Sequence, residues 1–372
     1  MPLQITLPKW YDLHVHLRQG ELLPEIIADH LKSQCAGVLA MPNTAPPVAK
    51  VMEADGGEFW SIESYKEMIL ESGGDAFSEV IVPLYLTKET TPEMIQSGVE
   101  TGLLKACKYY PPHGTTNSDH GRELHYFVNN GVMEAMEKCG VVLCIHGEEH
   151  GLDPQRYFDR KHNAEELFYQ TRMPALHEKY PSLKIVCEHL TTKIAVDFVK
   201  MSNENVTATI TPQHLIYTVG DLLKGLQYHL YCLPLLKFEE DRKALQNAAV
   251  EMNNSKFFAG TDSAPHTKKA TDCGCAAGCY TASIAPQMYA EAFELAGVDM
   301  LSKAGQVSYR KFLCEIGPKF YGIKIPSETF VLEKTKMDVD TTETAVGLLI
   351  PLPVGLNPKH KDKSTYLSWC VR

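Results

Sequence analysis

The chain has 372 residues, 44% of them hydrophobic and 22% charged, a make-up that supports a sizeable buried core and excludes a disordered chain. Its formal net charge of −10 argues against non-specific nucleic-acid binding and against anionic membrane surfaces, both of which need a basic face. The cysteines, 11 in number and set in apolar runs, read as reduced buried thiols; MPLQITLPKW lacks the pattern of a signal peptide, and no apolar stretch approaches membrane-spanning length, so the cytosol is the expected compartment.

The first apolar run is WYDLHVHL, followed by Arg18. Alternate side chains of a strand share a face, so His14 and His16 project together, with Arg18 next in line if the extended geometry persists. Two imidazoles so placed suit a metal ion and a guanidinium beside them suits an anion, although a strand whose histidines are satisfied by backbone groups has the same pattern. Helical periodicity follows over 21–34, then the run GVLAMPN closing on Asn43, a helix over 61–72, the run EVIVPLYL and a helix over 92–101. LLKACKYYP is the fourth run and carries Lys108. After it, PPHGTTNSDHG has no apolar anchor and presents Thr115 and Thr116, consistent with an ordinary surface loop or with a lid that orders on binding. A helix over 122–139 leads to VVLCIHGE with His146, a helix over 163–179 to LKIVCEHLT with His189, and a helix over 192–202 to VTATITPQH. A helix over 239–253 precedes FFAGTDSAPH, which holds Asp262 and His266. Two more helices, at about 281–296 and 301–314, and a tail form a C-terminal extension (about 281–372) of what is expected to be one domain spanning 1–372.

Strand runs alternating with helices imply parallel pairing through right-handed crossovers, and eight such units close a (β/α)8 TIM barrel, an α/β fold. The doubly wound alternative lacks its glycine fingerprint after an early strand. Polar residues gather where the runs end: His14 and His16, Asn43, Lys108, His146, His189 and Asp262. In a TIM barrel those ends converge on one face, where the active site lies. Neutral imidazoles with a carboxylate suit zinc, or less specifically cobalt or manganese. Five ligands are too many for one catalytic zinc with an open position and few for two. Lys108 is the candidate bridge, because a lysine at a cationic site needs its charge removed or inverted, and CO2 on its neutral amine would make a carbamate.

Read in order, HVHLRQG, MPNTAPPV, KYYPPHGTTNSDHG, IHGE, EHLTT, TITPQHL, YCLPLLK and GTDSAPH resemble the short, stand-alone class of dihydroorotases within the amidohydrolase superfamily, from about residue 10 to 280. The resemblance implies two zinc ions: His14, His16 and Asp262 on one, His146 and His189 on the other, with carboxylated Lys108 and a hydroxide bridging them. It further implies that Arg18, Asn43 and His266 contact the substrate carboxylate, that Leu233 and Ala276 contact substrate through their backbone, and that Thr115 and Thr116 tip a closing loop. The implied reaction is the reversible cyclisation of N-carbamoyl-L-aspartate to L-dihydroorotate in pyrimidine biosynthesis, with Asp262 as general acid and base. A small-molecule substrate, a homodimer, and neither nucleic acid nor membrane complete what the resemblance implies.

The nearest rival is a hydantoinase or dihydropyrimidinase, which shares the metal chemistry; the set Arg18, Asn43 and His266 favours an acid substrate instead. The run CGCAAGC (Cys273, Cys275, Cys279) lacks the spacing of a common tetrahedral zinc set and reads as a glycine-rich loop near the substrate, with one more small residue than the family's pattern around Ala276.

Overall fold

A computed structural model describes residues 3–272, 274–356 and 365–372 of the chain; Cys273 of the CGCAAGC run lies outside them. All eight apolar runs contain strand: Trp10–Val15, Cys35–Ala40, Glu79–Ile81 with Leu84–Tyr85, Ala106–Tyr109, Val142–Ile145, Ile185–Cys187, Val206–Ile210 and Phe257–Ala259. Every neighbouring pair is parallel. The pairs form two arcs, one of three strands and one of six, which meet where the third run passes from Ile81 to Leu84. At the other seam, His16 N donates to Ser263 O at 3.0 Å and Asp262 N to His14 O at 2.9 Å, so the first run is bonded to the segment that follows the last. Val15 and Ser263 form a parallel bridge there.

These strands lack hydrophobic alternation because both of their faces are covered, as parallel sheets require; all six residues of Trp10–Val15 are buried. One buried cluster takes Tyr11, Leu13, Leu39, Ile81, Ala106, Val142, Val186 and Phe258 from the strands of both arcs, together with Ile316 from the C-terminal helices. A second, larger cluster lies between strands and helices. Polar caps set where the helices begin: the side chains of Thr91, Asn163 and Thr192 accept from the amides of Met94, Glu166 and Ala195, opening helices Pro92–Glu100, Ala164–Lys179 and Lys193–Met201.

Two expectations change. The helix over 122–139 is two helices, Leu124–Asn129 and Val132–Cys139, because Gly131 at φ 88° breaks the turn between them. The tail is not merely appended: Thr329–Glu333 pairs antiparallel with Gln4–Pro8 on one side and with Cys370–Val371 on the other. Among the described residues no helix is long and apolar enough to cross a membrane.

Candidate active site

His14 lies in the first strand, one residue before its end, and is 1% exposed. His16 follows in extended chain, so the alternation brings both rings to one side, with centroids 5.7 Å apart. From the other side of the seam Asp262 faces these two rings, its backbone in the left-handed region at φ 50° just beyond the eighth strand. Asp262 Oδ1 lies 3.0 Å from His16 Nε2 and 3.4 Å from His14 Nε2, and the three side chains offer ligand atoms all within 4.8 Å of one another. Burial alone would raise the Asp262 carboxyl, but hydrogen bonds from His14 and His16 outweigh it and hold it well below the usual carboxylate range. Burial alone would likewise lower His14, and the Glu188 and Asp262 carboxylates outweigh that to favour its cationic form. An anionic carboxylate facing two imidazoles, one of them drawn towards the cationic form, is a setting that suits a bound metal cation in place of the proton.

His189 stacks edge-on between His14 and His146, with ring centroids 4.9 and 4.8 Å away. Its φ is 41°, and its amide donates to Thr209 Oγ1 at 2.7 Å, which fixes this turn at the end of the sixth strand. His146 Nε2 is 2.8 Å from Glu148 Oε2. Lys108 is fully buried on the fourth strand, its Nζ 5.0 Å from the ring centroid of Tyr110. Three atoms here are buried without a hydrogen-bond partner: Lys108 Nζ, His189 Nδ1 and Glu188 Oε1. Unpaired buried polar atoms are costly and rare, so three of them on residues of this one cluster fit a site that takes a bound polar group. Burial also pushes the Lys108 ammonium down, towards the neutral amine that a carbamate needs.

His16 and Asp262 open onto a narrow cleft lined as well by Arg18, Asn43, Thr115, Thr116, Leu233, Ala264, Ala277 and Gly278. Arg18 does not continue the strand. It sits at φ 61°, held by Tyr65 Oη donating to its carbonyl at 2.8 Å, and its Nε donates to Pro265 O at 3.3 Å. Its Nη2 lies 3.1 Å from His266 Nε2, which is itself 2.8 Å from Ala277 O. That nitrogen can accept from Arg18 or donate to Ala277 but not both; if it donates, the Arg18 fork keeps an N–H for another acceptor. Burial, with Arg18 beside it, pushes His266 down to about 4, so its ring is neutral at pH 7. Asn43 donates to Thr116 O at 2.9 Å, accepts from Tyr110 Oη at 3.0 Å, and its carbonyl accepts from Asn117 Nδ2 at 3.1 Å. The 111–121 loop is therefore docked over the cleft. Ala276 is the residue that does not face it: its amide donates to Lys269 O at 2.8 Å, while Ala277 and Gly278 form the wall.

A larger cavity of about 500 Å³ opens at the opposite ends of the strands, lined by Lys9, Tyr11, Cys35 and Glu79 among others, and it gathers no comparable set of ligating side chains among the described residues.

No family model matches the chain. A dihydroorotase from Picosynechococcus sp. is 42% identical over 360 residues, covering 95% of this chain and 96% of its own. One from Vibrio parahaemolyticus is 41% identical over 370 residues, covering 96% and 98%. The chain belongs to the dihydroorotase family. Dihydroorotases are metal-dependent hydrolases of cyclic amides, acting on a small molecule. Among solved structures, a Saccharomyces cerevisiae dihydroorotase in complex with 5-fluoroorotic acid superposes with a TM-score of 0.83 at 26% identity, covering 99% of this chain and 98% of that one. A Campylobacter jejuni dihydroorotase gives 0.80 at 28%, covering 100% and 98%. The L-hydantoinase of Arthrobacter aurescens, at 0.69 and 13% identity over 98% of this chain and 82% of that one, shares the fold.

Sequence reading of this chain missed three residues at the site. Glu188, 1% exposed, lies 2.6 Å from His14 Nδ1 and accepts from Thr209 Oγ1 at 2.7 Å. Tyr110 covers Lys108 and bonds Asn43. Glu165 accepts from the amides of Thr191 and Thr192 at 2.9 and 3.0 Å, bracing the turn beyond His189. Glu188 had a local signal, an acid beside a histidine within an otherwise apolar run; Glu165 looks like an ordinary first-turn helix acid.

Proposed function

We propose that the chain closes N-carbamoyl-L-aspartate to L-dihydroorotate with loss of water, reversibly, as a step of pyrimidine biosynthesis, and that it does so as a cytoplasmic homodimer. The observation that carries this reading is a single cleft lined both by His16 and Asp262 and by Arg18 and Asn43, which supports a metal-ligating group beside a carboxylate-binding one. The parallel pairing of all eight runs, with the bonds across the seam from His14 and His16 to Asp262 and Ser263, supports one closed (β/α)8 barrel domain spanning 1–372 with its C-terminal extension. The cysteines described are all free, in keeping with a reducing compartment.

His14, His16 and Asp262 would hold one zinc, His146 and His189 a second, and Lys108, as a carbamate, would lie between them. Such a pair supplies Lewis acidity, making water nucleophilic at neutral pH and polarising an amide carbonyl. Asp262, held anionic, takes a proton from the attacking water in the hydrolytic direction and gives it to the departing ring nitrogen. In the synthetic direction the same carboxylate takes the proton from the attacking carbamoyl nitrogen and passes it to the leaving oxygen. Arg18 presents a fork to the α-carboxylate common to both species, with Asn43 and neutral His266 as further partners. Thr115 and Thr116 close the cleft against water.

Hydrolysis of L-dihydroorotate, hydantoin and dihydrouracil by the purified protein, with metals counted on the same sample, tests this. Turnover of dihydroorotate alone with about two zinc per chain is expected. Metal together with hydantoin turnover would move the substrate to the rival class and remove the role given to Arg18.

A further inference from the structure

Lys269 is 7% exposed and lies behind the cleft wall rather than in it. Its Nζ donates to Tyr231 O at 2.7 Å, to Ala276 O at 2.6 Å and to Gly278 O, three acceptors for the three N–H bonds of an ammonium. Burial pushes its ammonium down, and the Arg18 guanidinium acts in the same direction. An ammonium buried without a carboxylate is costly unless its donors are all satisfied, and packing alone would be served by an apolar side chain of the same length. What its bonds achieve is to join two stretches that have little regular structure of their own. One runs from Tyr231 to Leu233, the other from Ala276 to Gly278, and Leu233, Ala277 and Gly278 all face the cleft. Gly278 N also donates to Tyr231 O at 2.9 Å, and Ala277 O is the acceptor 2.8 Å from His266 Nε2.

We propose that Lys269 is a positioning residue for substrate binding: its ammonium locks the 231–233 segment to the 276–278 turn and so sets the cleft wall and the carbonyl that orients His266. The substrate's identity in this inference rests on the proposed function; the lock itself does not.

The test compares the metal-loaded wild type with Lys269→Met and Lys269→Arg. For Lys269→Met the KM for L-dihydroorotate is expected to rise about 10-fold and the inhibition constant of 5-fluoroorotic acid to rise in parallel, with kcat within about 3-fold of wild type and metal content unchanged. The arginine keeps the charge but its planar fork cannot meet three carbonyls arranged around one nitrogen, so its KM is expected to rise at least about 3-fold. Wild-type KM in Lys269→Met, or a fall in kcat at constant KM, overturns the proposal. Amide hydrogen exchange separates it from the functional reading: Gly278 and Ala276 should exchange slowly in the wild type and at least about 10-fold faster in a folded variant. Fast exchange at Gly278 in the wild type overturns the lock even if neither variant folds. Absence of dihydroorotate turnover in a wild type whose Gly278 is protected would count against the proposed substrate and leave the lock standing.

Discussion

Glu188 fixes what His14 can do. With His14 Nδ1 committed to the Glu188 carboxylate at 2.6 Å, Nε2 is the nitrogen left to face Asp262, so the acid sets both the tautomer and the aim of the ring. Glu188→Gln keeps an acceptor but loses the charge, and metal affinity should fall about 10- to 100-fold in a competition titration with a chelator; unchanged affinity would remove Glu188 from the site. Glu166 is a residue where pH acts on stability. Burial, with the Asp241 and Glu165 carboxylates nearby, pushes its carboxyl up to about 7. An unfolded glutamate titrates near pH 4.3, so the folded protein binds this proton more tightly and loses stability as pH rises between about 4 and 7. The amides of the helix N-terminus offset part of that cost. Glu166→Gln should therefore be more stable than wild type at pH 8, by about 1–3 kcal/mol, and equal to it near pH 4. Urea melts at the two pH values measure this, and an equal difference at both would contradict it.

The loop over 111–121 shows how an element without apolar residues is held. Its anchor is Ser118, fully buried, whose Oγ donates to Thr115 O at 2.7 Å and accepts from Thr115 N at 3.0 Å. His113 Nδ1 and Asp119 Oδ1 are 2.7 Å apart outside it. The loop then bonds the second strand's end through Asn43, with Thr116 and Asn117 on its two sides. Asn117 stands at φ 55°, a conformation that costs asparagine less than alanine. Asn117→Ala removes both that tolerance and the bond to Asn43, so the docked loop should be less populated. The expected result is an about 3- to 10-fold loss of kcat/KM with metal content unchanged. A variant with lost metal would instead make the loop part of the ligand scaffold.

At the scale of the whole molecule, ligands from strands more than two hundred residues apart meet at one seam, so metal and fold should stabilise each other. Saturating zinc at about 1,000 times its dissociation constant adds about 4 kcal/mol by mass action, a rise in Tm of several degrees over the chelated protein that returning metal restores. Melting curves that ignore chelation and re-addition would argue that His14, His16 and Asp262 hold no ion.

The eight strand runs, most helix limits and the histidines at strand ends were legible because each depends on the chain nearby: apolar runs, 3.6-residue periodicity, and capping residues such as Asn163 and Thr192. The family was legible as well, since its motifs are contiguous. Other features needed the fold, because their partners are remote or their geometry is backbone geometry. Glu188 finds His14 across 174 positions, and Gln4–Pro8 becomes a strand only where Thr329–Glu333 pairs with it. Arg18 leaves the strand through a left-handed φ that no side-chain pattern announces. That Ala277 and Gly278 line the cleft is set by how the backbone of this turn is placed, which no local pattern gives. Local sequence determined which residues stand at the strand ends; only tertiary packing decided which of their atoms are paired, which are left open to a ligand, and which buried charge behind them keeps the wall in place.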